Sequence, residues 1–217
     1  MTVHKTVSLD RLSMKASSLV IFVVVVCTSV AASTPDENSV KTFQTAFPSG
    51  ATDRWEVVLG GPWAADNGEF APTADPNTYR RGMVVCDFPM TDGEVETVVR
   101  PAAYETRSVG MVGKYIDAQR HWFLRIVWWQ GSILIKGENQ KSIFVGPFSQ
   151  RDKDAKGLMK DPIHLRIVTR DGRVGIFING VLRTVMDDPF PGEEGRPGLY
   201  TEASSIATSF KATRFTP

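Results

Sequence analysis

The amino-acid sequence predicts an all-β fold in which two antiparallel sheets pack face to face as a sandwich. Three observations carry the prediction. From about residue 53 onward no apolar 3.6-residue period is long enough for a helix, while short runs rich in Val, Ile, Phe, Tyr and Trp recur between turn residues. The stretch 163–186, IHLRIVTRDGRVGIFINGVLRTVM, holds three such runs joined by Asp171-Gly172 and Asn179-Gly180, dipeptides suited to the left-handed φ values of type I′ hairpin turns. About a dozen strands without a helix must close over one another, because a single open sheet of that size leaves one apolar face wet.

The chain begins with a targeting segment. Lys5, Arg11 and Lys15 precede an apolar run from Leu19 to Cys27, and small residues follow from Ser29 to Ser33. That is the layout of a secretory signal peptide, with cleavage expected after Ala32. A retained membrane anchor is the alternative, placed second because the apolar run is shorter than the ~20 residues a spanning helix needs; after cleavage no membrane span is expected. Cys27 lacks the preceding residues of a lipoprotein cleavage site. An exported protein, periplasmic or secreted, is the expectation.

Loss of residues 1–32 removes three cations and one anion and takes the formal charge from +1 to −1. Nothing in this nearly neutral balance suggests a nucleic-acid partner, which normally shows as a strongly basic face or domain. Cys86 is then the single cysteine, so no internal disulfide forms, and its apolar setting, GMVVCDF, predicts a buried, inert thiol. Residues 33–52 are polar, with no sustained period in 33–48, and read as a tether. The domain proper spans 53–217.

Within it, strands are expected at 55–59, 69–70, 79–87, 93–100, 108–116, 122–129, 133–136 and 142–148, in the three runs of 163–186, and at 198–201 and 208–215. The charged stretch 149–162 reads as a solvated connection. Two-residue turns fix register, so Arg170 should face Arg173 and Ile178 should face Val181. One face of the meander then carries Leu165, Ile167, Thr169, Val174, Ile176, Ile178, Val181 and Val185, with Arg183 as its one charge, and is the core face. The other carries His164, Arg166 and Phe177 among mixed neighbours. The run 121–129 alternates likewise: Trp122, Leu124, Ile126 and Trp128 face the core, and His121, Phe123, Arg125, Val127 and Trp129 face away.

Trp55, Gly-Pro-Trp63, DNGEF (66–70), GEVETVVRP, VGMVGKYIDAQRHWFLRI, the hairpin stretch and GRPGLYTEAS with FKATRF resemble the concanavalin A-like lectin/glucanase superfamily. Within it they are most similar to exported bacterial laminin G-like domains and the group named for 3-keto-disaccharide hydrolases. The resemblance covers roughly residues 53–216 and implies a jelly-roll sandwich. It implies carbohydrate-binding, adhesive or hydrolytic function without choosing among them. The Glu-x-Asp-x-x-Glu and Glu-x-Asp-x-Glu strands of its laminarinase-like hydrolases are missing, as are the Phe-Asn-Gly opening and the later Asn-Ser-Gly of the keto-disaccharide group.

Glu94 and Glu96 are the nearest approach to a hydrolase pair, since carboxyls at i and i+2 on one strand face approach the ~5–9 Å that glycosidases use. For binding, His121, Arg125 and Trp129 are the candidates. An aromatic floor receives the C–H face of a pyranose, and cationic side chains bond its hydroxyls or, in acidic sugars, its carboxylate. If both strands lie in one sheet, His164, Arg166 and Phe177 extend that surface. Calcium is held by loop aspartates in many superfamily members, which makes Asp117, Asp187 and Asp188 candidate ligands. The leading expectation is a lectin-like, glycan-binding domain. A glycoside hydrolase and an envelope adhesion domain recognising protein are the alternatives.

Overall fold

Both hairpin dipeptides turn the chain as their chemistry requires. Asp171 and Gly172 (φ 50° and 71°) and Asn179 and Gly180 (φ 50° and 76°) take left-handed conformations. The computed structural model describes residues 40–73, 81–101, 108–127, 131–136, 142–146, 162–202 and 205–216. Among them the chain runs through β1 (Val40–Thr45), β2 (Trp55–Leu59), β3 (Trp63–Asp66), β4 (Glu69–Pro72), β5 (Arg81–Cys86), β6 (Gly93–Pro101), β7 (Ser108–Tyr115) and β8 (His121–Val127). It continues through β9 (Gly131–Lys136), β10 (Ile143–Gly146), β11 (Ile163–Arg170), β12 (Arg173–Ile178), β13 (Val181–Asp187), β14 (Arg196–Glu202) and β15 (Ser205–Phe215). No helix among the described residues is long and apolar enough to cross a membrane. The expected signal segment and nearly all of the stretch 149–162 lie outside the described residues.

The strands form two antiparallel sheets. One has the order β13-β12-β11-β6-β15-β4-β3, with β1 paired to β15; the other has the order β10-β9-β8-β7-β14-β5-β2. Their inner faces meet in one core that includes Val95 and Val99, Leu165 and Ile167, Val174 and Ile176 from the first sheet, and Val84, Met111, Trp122 and Leu124 from the second. The alternation expected for β6, β8 and β11 therefore holds.

Two expectations need correction. The tether does not extend through residues 40–52: Val40–Thr45 pairs with Phe215–Phe210 and buries Phe43, and the turn beyond it buries Phe47. These rings complete an aromatic cluster, with Phe47 and Phe70 centroids 4.9 Å apart and Trp55 and Phe210 also 4.9 Å apart. Each such pair contributes about 0.5–1.5 kcal/mol beyond the area it buries. Polar neighbours in VKTFQTAF hide the two aromatics that do the packing.

The second correction concerns β13. Arg170 does face Arg173, and Ile178 does face Val181. Past Phe177↔Leu182, however, the partner of Ile176 is Thr184, which leaves Arg183 as one extra residue in the ladder. A one-residue slip exchanges faces. Met186 now packs on the core in place of Val185, which is 49% exposed, and Val181 is exposed as well.

One polar tie joins the two sheets inside this apolar setting. Lys114 of β7 reaches Asp188, just past β13, with Nζ 2.6 Å from Oδ2, and both side chains are almost fully buried. Nζ also donates to the Phe190 carbonyl at 3.0 Å, and the Phe190 amide donates to Asp188 Oδ1 at 3.0 Å. Removing one partner of such a pair strands a buried charge and costs about 3–5 kcal/mol. Asp188→Ala should therefore lower unfolding stability by about that amount in urea titration. Lys114→Met combined with Asp188→Leu should cost less than the two single changes together. A loss below about 1 kcal/mol for Asp188→Ala would contradict the assignment.

Candidate functional site

Strand register arranges the outer face of the seven-stranded sheet in rows. Across β8, β7, β14 and β5 one row reads Val127, Ser108, Glu202, Arg81. The next reads Arg125, Gly110, Tyr200, Met83 and ends at Leu59 on β2. The third reads Phe123, Val112, Gly198, Val85 and ends at Glu56. Gly110 is at the centre because a Cβ there would lie 2.0 Å from the Leu124 carbonyl oxygen.

This outer face is more apolar than alternation alone demands. Met83, Val85, Val112, Phe123 and Tyr200 form a second buried cluster, against which Val58 and Tyr115 pack. The Phe123 and Tyr200 rings stack at 4.2 Å, and His121 stacks on Phe123 at 6.2 Å with an interplanar angle of 12°. Above this floor lies a cavity of about 180 Å³, walled by Leu59, Arg81, Tyr115, Ala118, His121 and Arg125 as well as by Val58, Met83, Phe123 and Tyr200. Its volume is below the ~300–1,000 Å³ of drug-sized pockets, so it admits a small group only.

Charge gathers at one edge. Glu202 Oε2 is 2.5 Å from Arg125 Nη2 and accepts from Ser108 Oγ at 2.8 Å, while Arg125 Nε donates to Ser108 Oγ at 3.2 Å. Arg81 Nε stands 3.6 Å from Glu202 Oε1. At the far side Arg196 Nη1 donates to Glu56 Oε2 at 2.6 Å and its guanidinium lies 5.8 Å from the Tyr115 ring centroid. Burial, reinforced by Glu202, pushes the Tyr200 phenol up to about 12. Burial followed by Glu56 also raises Tyr115. The Tyr200 phenol therefore stays protonated at neutral pH. Burial likewise pushes the Cys86 thiol up to about 12, which accounts for the inert cysteine expected from the sequence.

Of the sequence-derived binding residues, His121 and Arg125 meet at this cavity. Trp129 lies outside the described residues. His164, Arg166 and Phe177 do not join them, because β11 and β12 belong to the other sheet and point their polar face away from this one. There Arg166 Nη2 donates to Glu94 Oε2 at 2.6 Å, its Nε lies 3.4 Å from Glu96 Oε1, and its guanidinium covers the Phe177 ring at 4.6 Å. Glu94 and Glu96 thus share a cation on the face opposite the cavity. Among the described residues the strand-borne carboxylates on the cavity face are Glu202 and Glu56. Their partners on β5, Arg81 and Val85, are four residues apart, about 13 Å along the strand. Glycosidase pairs stand at ~5–9.5 Å.

The aspartates have separate roles. Asp117 accepts from the Gln119 and Arg120 amides at 3.0 and 2.7 Å and from Arg120 Nε at 2.7 Å, contacts that lower its pKa, the Arg120 side chain most of all. Asp187 is exposed beside Arg173, and Asp188 is bound to Lys114. Among the described residues no three His, Cys, Asp or Glu side chains converge as a metal site. Sequence reasoning missed Arg81, Met83, Tyr115, Tyr200 and Glu202. The alternation in RGMVVC and GLYTE carried a signal for them, since Arg81 and Met83, and Tyr200 and Glu202, each share a face.

No family model and no curated protein matches the chain. Solved structures do match its fold. Carbohydrate-binding module CBM66 from Bacillus subtilis is 16% identical, with a TM-score of 0.56 over 72% of this chain and 94% of that one. Apo Crh5 transglycosylase is 15% identical, with a TM-score of 0.59 over 81% and 85%. SCLam, a non-specific endo-β-1,3(4)-glucanase from family GH16, is 10% identical, with a TM-score of 0.56 over 82% and 92%. The fold is therefore the concanavalin A-like jelly-roll sandwich. At these identities the likeness extends to the fold alone.

The Glu94 geometry makes a pH prediction. The hydrogen bond from Arg166 holds the Glu94 carboxyl below its ordinary value of 4.5. Its stabilising contribution is therefore present above that value and is lost as pH falls through the lowered one. Between pH 7 and about pH 3, wild-type protein should lose more unfolding free energy than Glu94→Gln. Equal losses in urea titrations at the two pH values would contradict it.

Proposed function

We propose that this chain is an exported, non-catalytic glycan-binding module whose ligand occupies the cavity on the outer face of the seven-stranded sheet. One observation carries the reading: a cavity with the buried Phe123–Tyr200 stack at its base and Arg125, Arg81 and His121 around it. A sugar offers the matching chemistry. The C–H face of the ring packs on aromatic and apolar surface, and the hydroxyls exchange hydrogen bonds with arginine, imidazole and phenol. Arg125 is braced by Glu202 and Ser108 before a ligand arrives, so the ordering cost of binding falls mainly on the exposed Arg81 side chain.

The same architecture in a carbohydrate-binding module supports the reading, and glycan-active enzymes of this fold keep saccharide as the common ligand class. Binding is favoured over hydrolysis because Glu202 and Glu56 are each tied to arginine and lie too far apart for a paired-carboxylate mechanism. The volume favours a single saccharide residue in the cavity, with the remainder of the glycan outside.

A glycan array probed with wild type and Ala118→Trp tests this. Ala118 is exposed at the cavity wall, so an indole there fills the space without disturbing the core. Wild type should give saccharide hits, and Ala118→Trp should lose them at unchanged melting temperature. Identical hits for the two proteins would move the site elsewhere, and release of reducing ends from a bound glycan would replace binding by hydrolysis.

A further inference from the structure

We infer that the cavity selects an acidic sugar, a uronate whose carboxylate rests on Arg81 and Arg125; the inference rests on the glycan reading above and deepens it. Among the described residues the wall of the cavity carries Arg81, Arg125 and His121 and no carboxylate. Glu202, its side chain 13% exposed, stands beside the wall, where one carboxylate meets two guanidinium groups. Among the described side chains, Arg81, Arg125 and Glu202 together leave one positive charge at the cavity.

The bracing is asymmetric in a way that suits an anion. Arg125 is fixed on Glu202 through Nη2 and on Ser108 through Nε. Arg81 touches Glu202 only at 3.6 Å, and its side chain is 61% exposed at the mouth. Each guanidinium has five N–H donors, and these contacts engage one side of each. A planar ligand carboxylate is the acceptor that fits such a pair, and an ionised acceptor roughly doubles the strength of each bond. Register places Arg125 in the row of Tyr200 and Arg81 in the row of Glu202, so a carboxylate on the arginines leaves its ring over the Tyr200–Phe123 floor. A neutral hexose meets the same floor but leaves the excess charge uncompensated.

Titration calorimetry with oligomers of galacturonate, glucuronate and mannuronate, each also as its methyl ester, tests the inference. The ester keeps the sugar and removes the charge. At least one acid should bind about tenfold or more tightly than its ester, as expected for charge-assisted hydrogen bonds. Its affinity should fall between about 50 and 500 mM salt, while that of the ester should not. Arg81→Ala should bring the acid to the level of the ester, and Arg170→Ala, exposed on the opposite sheet, should change neither. Acid and ester binding alike, or an acid whose affinity survives Arg81→Ala, overturns the uronate inference. With neutral glycans still lost in Ala118→Trp, the glycan reading would stand. If no saccharide of either kind binds, both readings fall.

Discussion

Sheet membership is the constraint on which the surface chemistry of this protein depends. Each strand of a two-sheet sandwich has one face in the core and one outside, so two strands share an outer surface only when they belong to the same sheet. Strands β8 and β11 carry similar outward patterns, a histidine and an arginine separated by one or three residues from apolar partners. They lie in different sheets. His121 and Arg125 consequently border an apolar cavity, whereas on the other sheet Arg166 bridges Glu94 and Glu96 and His164 lies opposite Val98. The same residue types acquire different environments from topology alone.

The cavity is held by three kinds of interaction. Aromatic stacking of Phe123 on Tyr200 sets its floor. The Ser108–Glu202–Arg125 group fixes one wall, with every contact charge-assisted or to a hydroxyl. At the hairpin between β7 and β8, Arg120 bonds both Asp117 and Glu193 at 2.6–2.7 Å, which anchors the turn that carries Ala118. The exposed pairs contribute little stability individually. Their effect is positional, because they hold donors in place before a ligand arrives. Beneath them, Lys114 turns inward to Asp188 while its neighbour Tyr115 turns outward to the cavity, so the buried tie between sheets and the site share one strand.

Hairpin chemistry was the legible part of the fold. Asp171-Gly172 and Asn179-Gly180 announced their turns, and Asn67-Gly68 (φ 49° and 80°) joins β3 to β4 by the same device, though the four residues of β3 are too few to show alternation. The bulge at Arg183 was not legible, because nothing in VLRTVM distinguishes a regular strand from one with an extra residue, and it reversed the faces of Val185 and Met186. β1 was hidden for a different reason: two phenylalanines among polar residues reveal themselves only once β15 offers an edge to pair with. At the site, His121 and Arg125 could be read from alternation. Tyr200, Glu202 and Arg81 could not be joined to them, because β14 and β5 reach β8 only through pairings distant in sequence.

The central claim is that ligand chemistry belongs to the outer face of the seven-stranded sheet. Mapping chemical-shift changes by NMR during titration with a bound saccharide tests it most directly. The account predicts that the largest changes fall on Ala118, His121, Phe123, Arg125 and Tyr200. Changes clustered instead on His164, Arg166 and Phe177 would contradict it.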